Sequence, residues 1–392
     1  MNESAALRAR LERVAREAGA SALRVTSADD DAAARERMRA SFARGDLATW
    51  GYDDAYATRA ASPRALLRDA RSVVCVALAY ATRAGASRAP LRGRVSNYAW
   101  SADYHGRMRA VLARVAAELD AIAGRPATAI VCDTAPLAER AFAERAGLGW
   151  TGKHTNLIVP ALGSFVFLGE VVTSVALEPD APLKKTCGAC ARCVVACPTG
   201  ALRGDYTIDA RRCISDLTQR TGAIPQAMRP LVGTWVWGCD LCQEVCPPTR
   251  IAGARGAAAF APVGGDDVAH PPLVALLALR SADYKRRFRK TAMGWRGAAV
   301  LRRNAAVALG NCLDRATVPA LERTLVDDPH PVVRGHAAWA LGRLGSPRAL
   351  AALRASLQRE QDGSVRSEAR AALETWETFG HPRALESGRT AP

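Results

Sequence analysis

Eight of the eleven cysteines in this chain of 392 residues lie between positions 187 and 246. A Cys-x2-Cys-x2-Cys-x3-Cys-Pro group begins at Cys187 and a Cys-x2-Cys-x3-Cys-Pro group begins at Cys239, with Cys213 between them. In a reducing compartment, thiols crowded in this way indicate a metal site rather than disulfides. The remaining three cysteines lie in apolar runs and are expected to be buried: Cys75, Cys132 and Cys312.

The spacing of these cysteines favours two [4Fe–4S] clusters over zinc. A structural zinc site usually takes its four ligands from two separated Cys-x2-Cys pairs, and it is the minor alternative here. Three thiols at successive x2 spacings can bind three irons of one cluster, while the cysteine before proline binds the neighbouring cluster. The predicted ligands are Cys187, Cys190, Cys193 and Cys246 for the first cluster, and Cys197, Cys213, Cys239 and Cys242 for the second.

The residues before the cysteines alternate strand-like and helical patterns. Strands are predicted at 72–80, 128–133 and 164–177, where valine and aromatic residues are frequent. A helix is predicted at 104–124, where apolar residues recur at helical spacing and a glycine ends the run. These patterns indicate a mixed α/β (α+β) layer domain. Because two neighbouring clusters transfer single electrons, we expect this domain to contain the electron acceptor.

An internal repeat of 32 residues occupies the C-terminal part of the chain. The segments "LRRNAAVALGN" (301–311), "VRGHAAWALGR" (333–343) and "VRSEARAALET" (365–375) align at this spacing. Such a period is typical of stacked helix pairs of the HEAT type, which either bind an extended partner or stabilise a neighbouring domain. The predicted domains are an α/β domain (1–180), a ferredoxin-like two-cluster domain (181–250), a linker with a basic segment (251–290) and HEAT-like helical repeats (291–380).

The charge balance of the chain is strongly basic. Lys and Arg outnumber Asp and Glu by 54 to 38, a net charge of +16. A nucleic acid partner would explain this excess, and an arginine-rich proteome is the alternative explanation. No apolar run is long enough to span a membrane, and the N-terminus has the pattern of an amphipathic helix rather than of a signal peptide. We expect a cytoplasmic protein without a membrane partner.

The most basic segment, residues 280–304, contains nine Lys or Arg and one acidic residue. Tyr284, Phe288 and Trp295 are interleaved with these charges. Basic side chains neutralise phosphates and aromatic faces stack on splayed bases, so the segment predicts a nucleic acid contact. A solvated helix face is the alternative. We expect the aligned arginines of the repeats to extend this phosphate-binding surface: Arg302, Arg334 and Arg366.

The segment 131–158 contains two candidate features. The run "GLGWTGKH" nearly matches a phosphate-binding loop, but His154 replaces the magnesium-binding Ser or Thr and a helical pattern precedes it, which excludes an ATPase. Asp133 follows a predicted strand. It is either a turn or capping carboxylate, or a general acid at the end of a strand, where the sites of α/β domains gather.

Several longer motifs resemble those of one enzyme family, the epoxyqueuosine reductases. They include "NYAWSADYH" (97–105), "DTAPLAERAFAERAGLGWTGKHTNL" (133–157), both cysteine groups and "RKTAMGWRGAAVLRRNAAVALGN" (289–311). The resemblance runs in order over nearly the whole chain, including the repeats. Two places depart from the family pattern, since Ser101 replaces an expected glycine and "ATRAASPR" (57–64) is looser than usual.

This resemblance implies an oxidoreductase that reduces epoxyqueuosine to queuosine at the wobble position of tRNA, the last step of queuosine biosynthesis. It implies a nitroreductase-like α/β domain that binds base-off cobalamin next to the two clusters. Asp133 matches the proton donor of the family, and Arg59 matches an arginine that contacts cobalamin. Tyr104, Asp133 and Asp240 are further candidates for lining the corrin.

The resemblance also implies partners. They are a tRNA with a GUN anticodon carrying epoxyqueuosine, and a low-potential electron donor of the flavodoxin or ferredoxin type; we expect a monomer. Two alternative functions are a cobalamin-dependent reductase of a small molecule, as in reductive dehalogenases, and a non-catalytic iron–sulfur electron-transfer protein. The basic segment and the repeats are unexpected in the first, and the Asp133 motif is absent from simple ferredoxins.

Overall fold

The structure, a computed structural model, describes residues 3–84, 89–263 and 265–379. Positions 264 and 380, which fall in the predicted linker and at the end of the predicted repeats, lie outside the described residues. Two compact units are present. The first unit comprises residues 3–83, 101–213 and 240–261, and the second comprises residues 84, 89–100, 214–239, 262–263 and 265–379.

The secondary structure of the described residues is mixed in the first unit and mostly helical in the second. The strands are β1 (Ala22–Ser27), β2 (Ser72–Ala79), β3 (Arg94–Val95), β4 (Thr128–Val131), β5 (Trp150–Thr151), β6 (Leu157–Ile158), β7 (Val166–Thr173) and β8 (Trp235–Trp237). The helices are α1 (Glu3–Glu17), α2 (Ala32–Ala43), α3 (Asp54–Ala60), α4 (Tyr104–Ala123), α5 (Glu139–Arg145), α6 (Arg192–Val195), α7 (Ile214–Gln219), α8 (Arg229–Val232), α9 (Leu241–Glu244), α10 (Pro247–Ala252), α11 (Asp266–Ala269), α12 (Leu273–Leu277), α13 (Ser281–Phe288), α14 (Ala298–Cys312), α15 (Val318–Asp327), α16 (Pro331–Leu344), α17 (Pro347–Arg359) and α18 (Gly363–Phe379). Among the described residues, none of these helices is both long and apolar enough to cross a membrane.

A four-stranded antiparallel sheet in the order β1-β2-β7-β4 forms the centre of the first unit. All eight residues of β2 are buried, which agrees with a central strand covered on both faces. On one face α4 packs directly on β7, because Gly169 has no side chain and a Cβ there would lie 2.8 Å from Met108 Cγ. On the other face Phe142 of α5 joins the buried core. The predicted mixed α/β class is confirmed.

The second unit contains the predicted repeats as stacked helices α14 to α18. Small residues allow neighbouring helices to approach closely. A Cβ at Gly310 would lie 2.8 Å from the Trp339 ring, and one at Gly342 would lie 2.6 Å from Ala372 Cβ. The apolar faces of these helices merge into one buried core with Val236 and Trp237 of β8. The helical-repeat prediction is therefore confirmed.

The aligned arginines of the repeats do not form a phosphate-binding surface, so that part of the prediction was wrong. The Arg302 guanidinium is buried and pairs with Asp328, with Nε–Oδ2 at 2.6 Å. One repeat later, Arg334 Nε lies 2.7 Å from Glu360 Oε2. Arg366 donates to the Leu357 carbonyl at 2.6 Å. These arginines donate hydrogen bonds to carboxylates and to backbone carbonyls at helix ends within the same unit.

The basic segment 280–304 is only partly available at the surface. Tyr284 and Phe288 are buried in the core of the unit, which contradicts their predicted role in base stacking. Arg303 is buried as well and donates to the carbonyls of Leu217, Arg220 and Gly222. Trp295 is 51% exposed. The exposed cations of the segment are Arg280, Lys285, Arg286, Arg287, Arg289 and Lys290.

The buried Arg302–Asp328 pair predicts a large stability effect. Asp328→Ala leaves the guanidinium of Arg302 buried without its counter-ion, so we expect the free energy of unfolding to fall by about 3–5 kcal/mol. The matched control is Glu322→Ala, which removes the partner of the exposed Arg348 and should cost about 0.2–1 kcal/mol. Urea denaturation followed by circular dichroism measures both values. Equal losses in the two variants would contradict a structural role for Arg302.

Candidate active site

Asp133 lies in the loop between β4 and α5, two residues beyond the end of the strand. Its backbone has φ +60°, a left-handed conformation that costs a residue with a Cβ about 1–2 kcal/mol. The Asp133 N–H donates to Glu139 Oε1 at 2.7 Å, which stabilises this turn. The Asp133 side chain is 61% exposed. The Asp133 carboxylate is therefore exposed to solvent, while the hydrogen bond to Glu139 holds its backbone in place.

His105, near the start of α4, contacts the Asp133 carboxylate. Its Nε2 lies 3.3 Å from Asp133 Oδ2, and its Nδ1 lies 2.6 Å from Asp103 Oδ1. The hydrogen bond to Asp133 is the main cause that raises the pKa of His105. An imidazole between two carboxylates can hold a proton and pass it to either of them. The sequence interpretation did not single out His105, although the quoted motif "SADYH" contains it.

Two further acids lie beneath the Asp133 loop, and the sequence interpretation missed both. Glu170 is fully buried on β7, and its carboxyl oxygens have no hydrogen-bond partner among the described residues. Glu139 is its neighbour, and burial raises the pKa of Glu139 to about 7. Burial, and then the nearby charge of Glu139, raise the pKa of Glu170 well above its usual range. The sequence contains one sign of Glu170, because this acid interrupts the otherwise apolar strand pattern "VFLGEVV".

The raised pKa of Glu139 predicts a pH dependence of stability. In the unfolded chain this carboxyl has a pKa near 4.5, and in the folded protein the pKa is about 7. The folded state therefore binds more protons in this window, so stability falls as the pH rises from about 4.5 to about 7. Glu139→Gln should weaken this fall while its amide oxygen still accepts the Asp133 N–H. Unfolding free energies at several pH values measure the slope, and an unchanged slope in the variant would contradict the assignment.

The other predicted cofactor contacts lie in different environments. The Tyr104 ring stacks on Phe167 with ring centroids 3.9 Å apart, and burial raises the pKa of the Tyr104 phenol. Arg59 is exposed on α3, whose last residue, Ala60, accepts a backbone hydrogen bond from the segment that leads into α5. Asp240 is buried at the start of α9. Arg59 and Tyr104 thus belong to elements next to the Asp133 loop, whereas Asp240 belongs to the cysteine segment.

The four cysteines predicted to bind the first cluster line a single cavity of about 230 Å³, here called the cluster cavity. None of these four cysteines forms a disulfide. Burial, and to a smaller extent the charges of neighbouring cysteine thiols, raise the pKa of Cys193 and of Cys246. No three His, Cys, Asp or Glu side chains in the described part of the chain are placed to hold a single metal ion. Thiols spread around a cavity suit a multi-iron cluster, which is larger than one ion.

A short hairpin forms one wall of the cluster cavity. Strands β5 and β6 pair antiparallel, and Trp150, His154 and Ile158 of this segment all line the cavity. His154 is buried, and burial lowers its pKa to about 4, so its imidazole is neutral at pH 7. The glycine-rich run that resembles a phosphate-binding loop therefore lies beside the cysteines.

The predicted ligands of the second cluster are all partly buried. Cys197 Sγ accepts the N–H of Ala201 at 3.3 Å, the kind of N–H···S contact common around iron–sulfur clusters. Cys213, Cys239 and Cys242 are each partly buried. The grouping of these four thiols on one cluster stays a prediction.

Models of known families match three parts of the chain. A model described as "4Fe-4S double cluster binding domain" matches residues 186–249, which favours two iron–sulfur clusters over zinc. A model described as "HEAT repeats" matches residues 297–374. A model described as "Epoxyqueuosine reductase QueG, DUF1730" matches residues 60–134, the segment that ends just after Asp133.

Relatives and solved structures point to the same family. The epoxyqueuosine reductase of Bacillus subtilis is 34% identical over 378 residues, which cover 95% of this chain and 97% of the relative. An epoxyqueuosine reductase solved with an epoxyqueuosine-modified tRNA stem loop matches with a TM-score of 0.89 at 33% identity, covering 96% of this chain and 100% of that chain. A Bacillus subtilis structure whose catalytic aspartate loop is swung out of the active site matches with a TM-score of 0.88 at 33% identity, covering 95% and 99%. The chain therefore belongs to the epoxyqueuosine reductase family of iron–sulfur oxidoreductases.

Proposed function

We propose that this protein reduces epoxyqueuosine to queuosine in the anticodon of tRNA, the last step of queuosine biosynthesis, with Asp133 as the proton donor. The observation that carries the proposal is the Asp133 loop, where an exposed carboxylate on strained backbone contacts His105 and is held by Glu139. The relatives named epoxyqueuosine reductase support the substrate. So does the similar structure solved with an epoxyqueuosine-modified stem loop.

The reaction consumes two electrons and two protons and releases the epoxide oxygen as water. When bound, base-off cobalamin and the two [4Fe–4S] clusters would supply the electrons. The task of the protein side chains is to manage protons, because an alkoxide is a poor leaving group. Asp133, once protonated, gives its proton to the oxygen as the ring opens, and His105 can return a proton to Asp133 for the loss of water. Each proton then has a named donor.

The surroundings of Asp133 suit a large planar cofactor such as cobalamin. Trp50 and Tyr52 are 40% and 42% exposed, and their rings are nearly parallel. Tyr52 also contacts Tyr56 of α3. Burial raises the pKa of the Tyr56 phenol, the nearby charge of Asp133 raises it further, and the charge of Arg59 lowers it. A bound planar cofactor would cover the exposed apolar faces of these rings. An arginine can donate hydrogen bonds to amide oxygens such as those around a corrin. We propose that Arg59, Tyr104 and Asp133 face this cofactor.

The tRNA partner agrees with the exposed cations of the basic segment. Replacing Lys285, Arg289 and Lys290 together by alanine should weaken tRNA binding by roughly tenfold and reduce its salt dependence by about one unit of slope per lost phosphate contact. The matched control replaces three exposed arginines of the repeats: Arg348, Arg359 and Arg370. Binding titrations at several salt concentrations measure both variants. Equal losses would show that the repeats, and not the basic segment alone, bind tRNA.

One assay tests the proposed function directly. Reconstituted protein with cobalamin and a low-potential reductant is incubated with epoxyqueuosine-tRNA, and the digested nucleosides are analysed. We expect queuosine to form, and protein that contains both clusters but yields none would overturn the proposal. A halogenated phenol in parallel tests the alternative of small-molecule reduction, for which we expect no turnover.

A further inference from the structure

We propose that Trp150 and His154 donate N–H hydrogen bonds to the cluster in the cluster cavity and thereby stabilise its reduced form. The inference rests on the ligand set proposed above for this cavity. Both side chains line the cavity together with the four thiols. Neither residue is a metal ligand in this proposal. Each acts by positioning a hydrogen next to the sulfur atoms.

Both N–H groups are buried, and the described part of the chain provides no acceptor for either of them. Trp150 Nε1 and His154 Nε2 have no hydrogen-bond partner among the described residues, and both atoms are inaccessible to solvent. Trp150 is 8% exposed and His154 is 2% exposed. A buried donor without an acceptor costs about 1–3 kcal/mol, so two in one cavity indicate an acceptor that the protein itself does not provide.

The tautomer of His154 follows from its other nitrogen. The backbone N–H of Asn156 donates to His154 Nδ1 at 3.2 Å, so Nδ1 is the acceptor and is unprotonated. In a neutral imidazole the proton is then on Nε2, which makes that atom a donor. The indole nitrogen of Trp150 can only donate. Both groups therefore require acceptors, and the sulfide and thiolate sulfurs of a cluster are acceptors.

The hairpin that contains these residues is fixed against the cysteine loop. A Cβ at Gly152 would lie 2.7 Å from His154 Cε1, so only glycine allows the imidazole to lie against the turn. Lys153 Nζ donates to the Gly188 carbonyl at 2.9 Å, which ties the hairpin to the loop between Cys187 and Cys190. The donors are therefore held on rigid backbone next to the predicted ligands, as a positioned contact requires.

Hydrogen bonds to the sulfurs act on the reduction potential. A [4Fe–4S] cluster with four thiolates carries more negative charge after reduction, so an N–H donor stabilises the reduced state more than the oxidised state. Lys185 Nζ lies 5.4 Å from the centroid of the Trp150 ring, so a positive charge also lies against this donor's indole. Removing either donor should lower the midpoint potential of this cluster and leave the other cluster unchanged.

The test measures the potentials of the complete holoprotein. Trp150→Phe and His154→Phe remove one donor each while keeping an aromatic side chain, and Ile158→Val is the control because it also lines the cavity but has no donor. The measurement is a redox titration followed by electron paramagnetic resonance. At a fixed potential, the reduced-to-oxidised ratio of one cluster should be about tenfold lower in each Phe variant. For one electron this corresponds to a midpoint potential lower by about 59 mV. Iron content verifies that both clusters are present. Unchanged potentials in both Phe variants would overturn the inference.

A second measurement decides the question if the variants fail to bind a cluster. Native holoprotein labelled with ¹⁵N in tryptophan and histidine is reduced and studied by electron–nuclear double resonance in H₂O and D₂O. We expect ¹⁵N couplings and exchangeable proton couplings on one cluster, and the absence of both would overturn the inference. Native protein that converts epoxyqueuosine-tRNA but lacks these couplings would disprove the hydrogen bonds while leaving the proposed function intact.

Discussion

Asp133→Asn should lower the rate of epoxyqueuosine reduction by about 10²–10⁴-fold, the usual contribution of a general acid. The amide has nearly the shape of the carboxyl and keeps an oxygen for contact with His105, but it cannot donate an acidic proton. Iron content and tRNA affinity should stay at their native values, because Asp133 lies outside the cysteine segment and the basic segment. Single-turnover conversion of epoxyqueuosine-tRNA with pre-reduced enzyme measures the effect.

The control for this variant is Glu139→Gln, which leaves Asp133 in place and changes only the group that accepts its N–H. An amide oxygen still accepts that bond, so we expect a smaller loss of rate than in Asp133→Asn. Native activity in Asp133→Asn would exclude the proton-donor role. A loss in Glu139→Gln as large as that in Asp133→Asn would show that the reaction needs the Glu139 carboxyl as much as the Asp133 carboxyl, which would contradict a purely supporting role for Glu139.

Cys193→Ala should remove one cluster and abolish turnover. The thiol is buried in the cluster cavity, and a cluster held by three thiolates loses its closed set of ligands. Iron should fall from about eight to about four atoms per chain, since each cluster contains four. Because metal binding contributes to the stability of a small metal-binding domain, the thermal midpoint of the cysteine segment should fall as well. Iron analysis and calorimetry under anaerobic conditions measure both losses.

A matched cysteine distinguishes ligand loss from simple loss of packing. Cys312→Ala removes a partly buried thiol of α14 that is not a predicted ligand. This control should retain full iron content and native activity, with a stability cost no larger than that of a small core deletion, about 1 kcal/mol. Full iron in Cys193→Ala would contradict the ligand assignment for the cluster cavity.

The residues that the sequence predicted well are those whose role depends on local spacing. Cysteine spacing indicated iron–sulfur clusters, because the backbone near Cys187, Cys190 and Cys193 forms a loop short enough to surround one cluster. The strand pattern at 72–80 and the repeat at 301–375 were recognised because side chains alternate or recur with the period of the element. Each of these signals lies within one segment of the chain.

The predictions that failed concerned exposure. Arg302 and Arg334 are aligned and basic, yet both pair with carboxylates that follow in the chain by 26 residues. Tyr284 and Phe288 lie four residues apart on one face of α13, which buries them together. Charge and aromatic content alone do not tell whether a side chain faces solvent, since a buried arginine with a carboxylate partner has the same sequence signature as an exposed one.

The sequence by itself determined the family, the presence of an iron–sulfur segment and the presence of helical repeats, because these depend on motifs along the chain. Only the tertiary structure placed Glu170 of β7 and Glu139 of α5 beneath Asp133, and His105 of α4 beside it. Only the tertiary structure placed in the cluster cavity the N–H groups of Trp150 and His154, which find no acceptor among the residues that the structure describes. These contacts join residues that are far apart in the chain, or depend on burial, and neither property can be derived from the pattern of a single segment.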